Sequence, residues 1–143
     1  MFGCTFGDGV ASPTAARKKV CHDLSVTQTV LIVDDHPSFR ASARAMLEAA
    51  DFEVVGEVAD GRSALEAVTE LSPDVVLLDV QLPDMSGFDV CAELEQRDEP
   101  PPEIVLVSSR DVSDYGDLVA RSCACGFVEK GELSSDALVA LLP

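Results

Sequence analysis

Four short apolar runs constrain this chain most, because each stops on residues that carry chemistry. Val30-Leu31-Ile32-Val33 ends on Asp34-Asp35, Val75-Val76-Leu77-Leu78 on Asp79, and Ile104-Val105-Leu106-Val107 on Ser108-Ser109. The fourth, Gly126-Phe127-Val128, runs through Glu129 to Lys130, the only lysine between Lys19 and Pro143. Apolar runs of this length, bounded by polar residues, fit strands buried on both faces of a parallel sheet. Four such strands gather their end groups at one sheet edge, which is where open α/β sheets bind ligands. Three carboxylates, a hydroxyl and one ammonium brought together there suggest a divalent cation and a phosphoryl group.

The segments between the runs support that arrangement. Strands are expected at 30–34, 53–58, 74–79, 103–108 and 126–129, alternating with helices at 37–50, 61–71, 86–97, 112–122 and 134–142. Phe39, Ala43, Met46, Leu47 and Ala50 share one helical face, and Pro37 suits a first helical position because its missing N–H costs nothing there. Leu65, Val68 and Leu71 form the next stripe, ended by Ser72-Pro73. Ser134-Ser135-Asp136 opens the last helix with a cap and a favourable charge. The 112–122 helix has the thinnest apolar side, only Val112, Tyr115, Leu118 and Val119, and is expected to be poorly anchored. Five βα units of this kind predict an α/β fold, a doubly wound five-stranded parallel sheet with helices on both faces and right-handed crossovers. Glu53 and Glu57 are charged positions in the second strand, which places it at an edge. Residues 1–29 lack a sustained apolar period and read as a flexible N-terminal extension, with the domain at 30–143.

Charge excludes some partners. Of 26 acidic and 10 basic residues, the stretch 30–143 holds 24 and seven, a body that repels nucleic acid phosphates and anionic membranes. No direct nucleic acid binding and no membrane association are expected, and no apolar run approaches the ~20 residues of a membrane span. Five irregularly spaced cysteines without a secretory leader fit a reducing cytoplasm. Cys91 reads as core; Cys21-His22 and Cys123-Ala124-Cys125 lack a second pair at zinc-site spacing.

Adjacent strand residues point to opposite faces, so Asp34 and Asp35 converge only if the backbone turns where the strand ends. Two acids there plus Asp79 repel one another unless a hard cation neutralises them, and Mg²⁺ prefers a few carboxylates, waters and a substrate phosphate. Asp79 then has two available roles, metal ligand and carboxylate nucleophile toward phosphorus. Lys130 and the cation would neutralise charge on the transferring group. Each residue also has a plainer reading: a helix cap at Asp35-His36-Pro37, a turn residue at Asp79, a cap at Ser108-Ser109, a solvated lysine at Lys130, and core packing for Phe127.

Taken together, Val33-Asp34-Asp35-His36-Pro37-Ser38-Phe39-Arg40, Asp79-Val80-Gln81-Leu82-Pro83-Asp84-Met85-Ser86-Gly87, Ser108 and Phe127-Val128-Glu129-Lys130 resemble a response-regulator receiver domain of two-component signalling. The wording is most similar to receivers of the NarL/FixJ type. The resemblance covers residues 30–142 and implies a flavodoxin-like receiver fold with Asp79 as phosphoacceptor. It implies that Asp35 binds Mg²⁺ directly, Asp34 mainly through water, and Gln81 through its backbone carbonyl. It also implies that Ser108 and Lys130 contact phosphoryl oxygens and that Phe127 is the switch aromatic. The partners implied are a histidine kinase or phosphotransfer protein and a downstream protein effector; oligomeric state is left open. Such a module is no enzyme beyond its own phosphorylation and dephosphorylation. Many members carry proline with a cis peptide after the lysine, whereas Gly131 stands here, so the turn is open. With the sequence ending at Pro143, the expectation is a receiver without an output domain. Two alternatives remain: a receiver-like scaffold that is not phosphorylated, and a Mg²⁺-dependent aspartyl-nucleophile phosphatase. The latter needs an acid two residues beyond its nucleophile, where Gln81 stands.

Overall fold

The computed structural model of the protein describes residues 27–142. Five parallel strands, β1 Thr29–Val33, β2 Glu53–Val58, β3 Val75–Asp79, β4 Glu103–Ser108 and β5 Gly126–Glu129, form one sheet in the order β2-β1-β3-β4-β5. The expected edge position of β2 is what the sheet shows, and the other edge is β5. β1, β3 and β4 are interior, and their apolar residues are fully buried on both faces.

Alternation along the strands divides the core in two. Leu31, Val33, Val76, Leu78, Ile104 and Leu106 face α2 (Gly61–Leu71) and α3 (Gly87–Glu95), meeting Ala64, Ala67, Val90, Cys91 and Leu94. Val30, Ile32, Val75, Leu77, Val105, Val107 and Val128 face α1 (Pro37–Ala49) and α5 (Ser135–Leu141), meeting Ala43, Leu47 and Leu138. Each fully buried Val, Leu or Ile side chain contributes about 1.5–3 kcal/mol relative to exposure. The burial of successive residues on opposite faces therefore fixes strand register, since a one-residue slip would exchange the two cores.

Several element ends differ from the sequence expectations, each for a local reason. β1 begins at Thr29, whose N–H and hydroxyl both donate to Asp74 Oδ2, and ends at Val33, leaving Asp34 beyond the ladder's last paired residue. α3 starts after Ser86, which forms a reciprocal capping box with Asp89, and α5 after Ser134, which caps Ala137. The buried face of α2 is Gly61, Ala64 and Ala67, with Leu71 left 41% exposed, so the expected Leu65-Val68-Leu71 stripe is only its flank. The helix expected at 112–122 is not continuous. A 3-10 turn at Val112–Tyr115 is followed by Gly116 at φ 60 and a four-residue α4, Leu118–Arg121, and neither piece buries a residue. Gly116 adopts the left-handed region without penalty, and four apolar residues are too few to hold one straight helix over that break. The Lys130–Gly131 peptide is trans, and the chain turns there through a 3-10 turn, Lys130–Glu132.

Gly87 sets how closely α3 approaches the end of β3. Its N–H donates to the Val80 carbonyl at 2.7 Å, and a Cβ at this position would lie 2.6 Å from the Asp79 carbonyl oxygen. Backbone cannot yield as a flexible side chain can, so Gly87→Ala is expected to destabilise the fold by about 1–3 kcal/mol. A urea midpoint unchanged from wild type would show that the loop adjusts freely.

Candidate functional site

The C-terminal ends of β1, β3 and β4 deliver three polar side chains that are nearly or wholly buried: Asp34 at 0% exposure, Asp79 at 2% and Ser108 at 0%. Asp34 is held by its backbone on both sides. Its N–H donates to the Val58 carbonyl on β2 at 3.0 Å, and its carbonyl accepts from Arg40 on α1 at 2.6 Å. Its carboxylate accepts the His36 N–H at 2.8 Å, which turns the chain back toward the sheet. Within Asp35-His36-Pro37, His36 stands at the N-cap of α1 and Pro37 opens the helix, but His36 makes no side-chain cap bond, so the segment starts the helix without a capping side chain. Asp35 is exposed beside it, within 3.1 Å of the His36 ring.

Lys130 arrives from the end of β5 and reaches across the sheet edge. Its Nζ donates to Asp79 Oδ2 at 3.3 Å and stands 2.6 Å from Asp34 Oδ2. The second contact lies off a hydrogen-bond direction, so this buried oxygen has an ionic neighbour and no directed donor. The Phe39 ring lies 4.7 Å from the ammonium, adding a cation–π contact that also orients it. Lys130 is thus only 15% exposed, and the solvated-lysine reading does not apply. Asp79 is held at both oxygens, with Oδ1 accepting the Gln81 N–H at 3.1 Å. That bond is the turn expected of a strand-end aspartate, and it coexists with the ion pair. Burial, foremost, pushes the Asp79 carboxyl above the ordinary carboxylate range; the Gln81 N–H opposes this, the Asp34 charge adds to it, and Lys130 opposes it in turn.

One ligand atom each from Asp34, Asp35, His36 and Asp79 lies within 4.8 Å of the others. The oxygen-rich donor set and the undirected buried oxygen of Asp34 fit a hard divalent cation, which needs carboxylates close enough to share it. His36 belongs to this group although sequence reasoning assigned it no part in the site. Among the described residues this is the one group of potential metal-ligating side chains, and it contains no cysteine. Cys91 is core as expected, with its thiol pushed up by burial; Cys21 and His22 lie outside the described residues.

Ser108 is turned toward the chain that follows it. Its Oγ accepts the Arg110 N–H at 3.0 Å and shares a 2.6 Å bond with the Tyr115 hydroxyl. The Tyr115 ring is wedged between Phe88 and Phe127, with centroids at 5.6 and 5.9 Å. Phe127 is half-buried against the core, so Ser108 and Phe127 are connected through Tyr115. From the sequence Tyr115 reads as an apolar mark on the 112–122 helix, and its bond to Ser108 is not legible there. A second omission is Asp84, whose carboxylate accepts the Gly61 and Arg62 N–H groups and so caps α2 from the loop beside the site.

Comparison with known proteins matches residues 30–142 to the response regulator receiver domain. The DNA-binding transcriptional activator EvgA of Escherichia coli K12 is 35% identical over 111 residues, 78% of this chain and 54% of EvgA. The chain spans about half the length of the curated relatives it matches. Among solved structures, the signal receiver domain of the response regulator NarL from Mycobacterium tuberculosis superposes with a TM-score of 0.71 at 32% identity, covering 80% of this chain and 96% of that one. The beryllofluoride-activated N-terminal receiver domain of Klebsiella pneumoniae RstA gives 0.68 at 29% identity, covering 78% and 92%.

Proposed function

This chain belongs to the response regulator receiver domain family, and from that premise we propose that it is a phosphorylation-dependent switch with Asp79 as phosphoacceptor. The carrying observation is the Asp79 carboxylate, buried at a strand end and bonded to Lys130 beside Asp34 and Asp35. In this reading one Asp79 oxygen forms a bond to phosphorus as the bond from phosphorus to the donor breaks, and the donor leaves with that electron pair. A histidine kinase or phosphotransfer protein is the physiological donor. The product is an acyl phosphate on Asp79, and output passes through contacts with a protein effector.

The placement of the side chains supports a role for each in this reading. Gln81 N–H holds Asp79 Oδ1, leaving Oδ2 on the side of Lys130. Lys130 offers its ammonium to a phosphoryl oxygen, with Phe39 limiting where it can go. Asp34, Asp35, Asp79 and the Gln81 carbonyl would hold Mg²⁺, which when bound neutralises charge on the transferring group. Ser108 supplies a hydroxyl to a phosphoryl oxygen once it releases Tyr115. Residues 30–143 form the receiver in this reading, residues 1–29 precede it as an extension, and a cytoplasmic setting supplies the kinase. Among the described residues no helix is long and apolar enough to cross a membrane. The acidic excess of the domain favours protein over nucleic acid as its direct partner.

Incubation with acetyl phosphate and Mg²⁺ is expected to add one phosphoryl group per chain by intact-mass measurement, and chelating the cation to prevent it. No mass gain under either condition would leave the non-phosphorylated scaffold standing. Continuous turnover of ordinary phosphomonoesters would favour the hydrolase.

A further inference from the structure

Asp34 and Asp35 are adjacent in a chain that has been extended up to Val33, and extended neighbours send their side chains to opposite faces. Their convergence therefore depends on the peptide that joins them. Rotating that peptide changes ψ of Asp34 and φ of Asp35 together, and with them the direction in which the Asp35 carboxylate points. One side chain holds its carbonyl. Arg40, 20% exposed on the first turns of α1, donates from Nη1 to the Asp34 oxygen at 2.6 Å and from Nε to Glu57 Oε1 at 3.3 Å. Glu57 comes from the edge strand β2 and is itself gripped by Arg44. The Arg44 bond, foremost, with Arg40 contributing, holds the Glu57 carboxyl below its ordinary range. Asp34 N–H is fixed to Val58, the next residue on β2. Both ends of the Asp34 backbone are thus referred to the same short piece of edge strand.

We propose that Arg40, locked by Glu57, is a positioning residue for the cation site: it sets the Asp34–Asp35 peptide so that both carboxylates face one point. The inference rests on the reading above that these acids take Mg²⁺. It makes a prediction opposite in sign to the simplest electrostatic one. A guanidinium near a cation site repels the cation, so on charge alone Arg40→Gln should tighten binding. As a positioning residue, its loss should weaken binding by about tenfold, as removal of groups that orient metal ligands does. Arg40→Lys separates the two further, because an ammonium keeps the charge but lacks the planar fork that spans carbonyl and carboxylate.

The experiment is calorimetric titration of Mg²⁺ into wild type, Arg40→Gln, Arg40→Lys, Glu57→Gln and the Arg40→Gln/Glu57→Gln double variant, each first checked for a native thermal transition. Both Arg40 variants should bind about tenfold more weakly. Glu57→Gln should weaken binding in the wild-type background and add nothing once Arg40 is gone. A metal-free measurement stands beside it: hydrogen exchange at the His36 amide, bonded to Asp34 Oδ1, should accelerate in Arg40→Gln while the Leu77 amide in the core does not change. A uniform rise in exchange, or Mg²⁺ affinity in Arg40→Gln equal to or above wild type, overturns the inference. A wild type that binds no Mg²⁺ overturns the site reading itself, a separate and recognisable outcome.

Discussion

Asp79→Ala is expected to gain no phosphoryl group from acetyl phosphate with Mg²⁺, where wild type gains one. The effect is all or none because Asp34, the other buried carboxylate, stands just past the end of β1 with its backbone and one oxygen engaged by β2, Arg40 and His36. Asp35 is exposed, with its carboxylate beside the His36 ring, while Lys130 contacts Asp34 and Asp79 instead. Equal labelling of Asp79→Ala and wild type would remove Asp79 from its role. Asp79→Asn carries a second expectation, for stability without metal. Burial raises the folded-state pKa of Asp79 above its unfolded value, so the native state binds this proton more tightly than the unfolded chain does. The ionised carboxyl therefore lowers stability above the folded pKa, and the cost disappears as pH falls below the unfolded value. Metal-free Asp79→Asn should be more stable than wild type at neutral pH, with the advantage fading on acidification. An advantage that grew as pH fell would contradict the assigned direction.

How much of this was legible depended on whether the signal lay along the chain or across it. Val30–Val33, Val75–Leu78 and Ile104–Val107 announced interior strands because a segment covered on both faces has no polar alternation to hide. Glu53 and Glu57 placed β2 at an edge for the converse reason. Asp34, Asp79, Ser108 and Lys130 were legible as strand-end residues, since parallel strands put such ends together. The rest required distance. Nothing in the sequence ties Arg40 to Glu57, Tyr115 to Ser108 or Asp84 to Gly61; these pairs exist only once β2, the 112–115 turn and the loop after β3 have been folded into place. The α2 face is only partly legible: Leu65 and Val68 pack at its flank, while the small Ala64 and Ala67 are the residues buried where the helix lies close to β1 and β2. Between Val112 and Ser122, apolar spacing suggested one helix and Gly116 decided otherwise.

That broken segment is where the second large effect is expected. Ser108 Oγ has one proton to donate, so where it donates to the Tyr115 hydroxyl it must give up that bond to donate to a phosphoryl oxygen, and the two bonds then compete. A neutral hydroxyl pair contributes a net of about 1 kcal/mol, whereas a hydrogen bond to a charged group contributes about 1.5–3 kcal/mol. The phosphoryl group should therefore win and release the Tyr115 hydroxyl. Tyr115 packs half-buried between Phe88 and Phe127, and the 3-10 turn that carries it has no fully buried residue, so its ring is less firmly held than the core side chains it touches. Phosphorylation would thus bias a two-state element whose one state is held by Ser108. Ser108→Ala should still be labelled at Asp79 but lose the changes beyond it. Backbone NMR with beryllofluoride reads this directly: wild type should shift at the metal loops and through residues 112–142, and Ser108→Ala at the metal loops alone. Tyr115→Phe, which keeps the ring and removes the hydroxyl, should resemble Ser108→Ala in losing the distinction at 112–127 between free and beryllofluoride-bound protein. If wild-type shifts stop at the metal loops, the domain binds the phosphoryl mimic without transmitting it, and the switch must be given up even though Asp79 is modified.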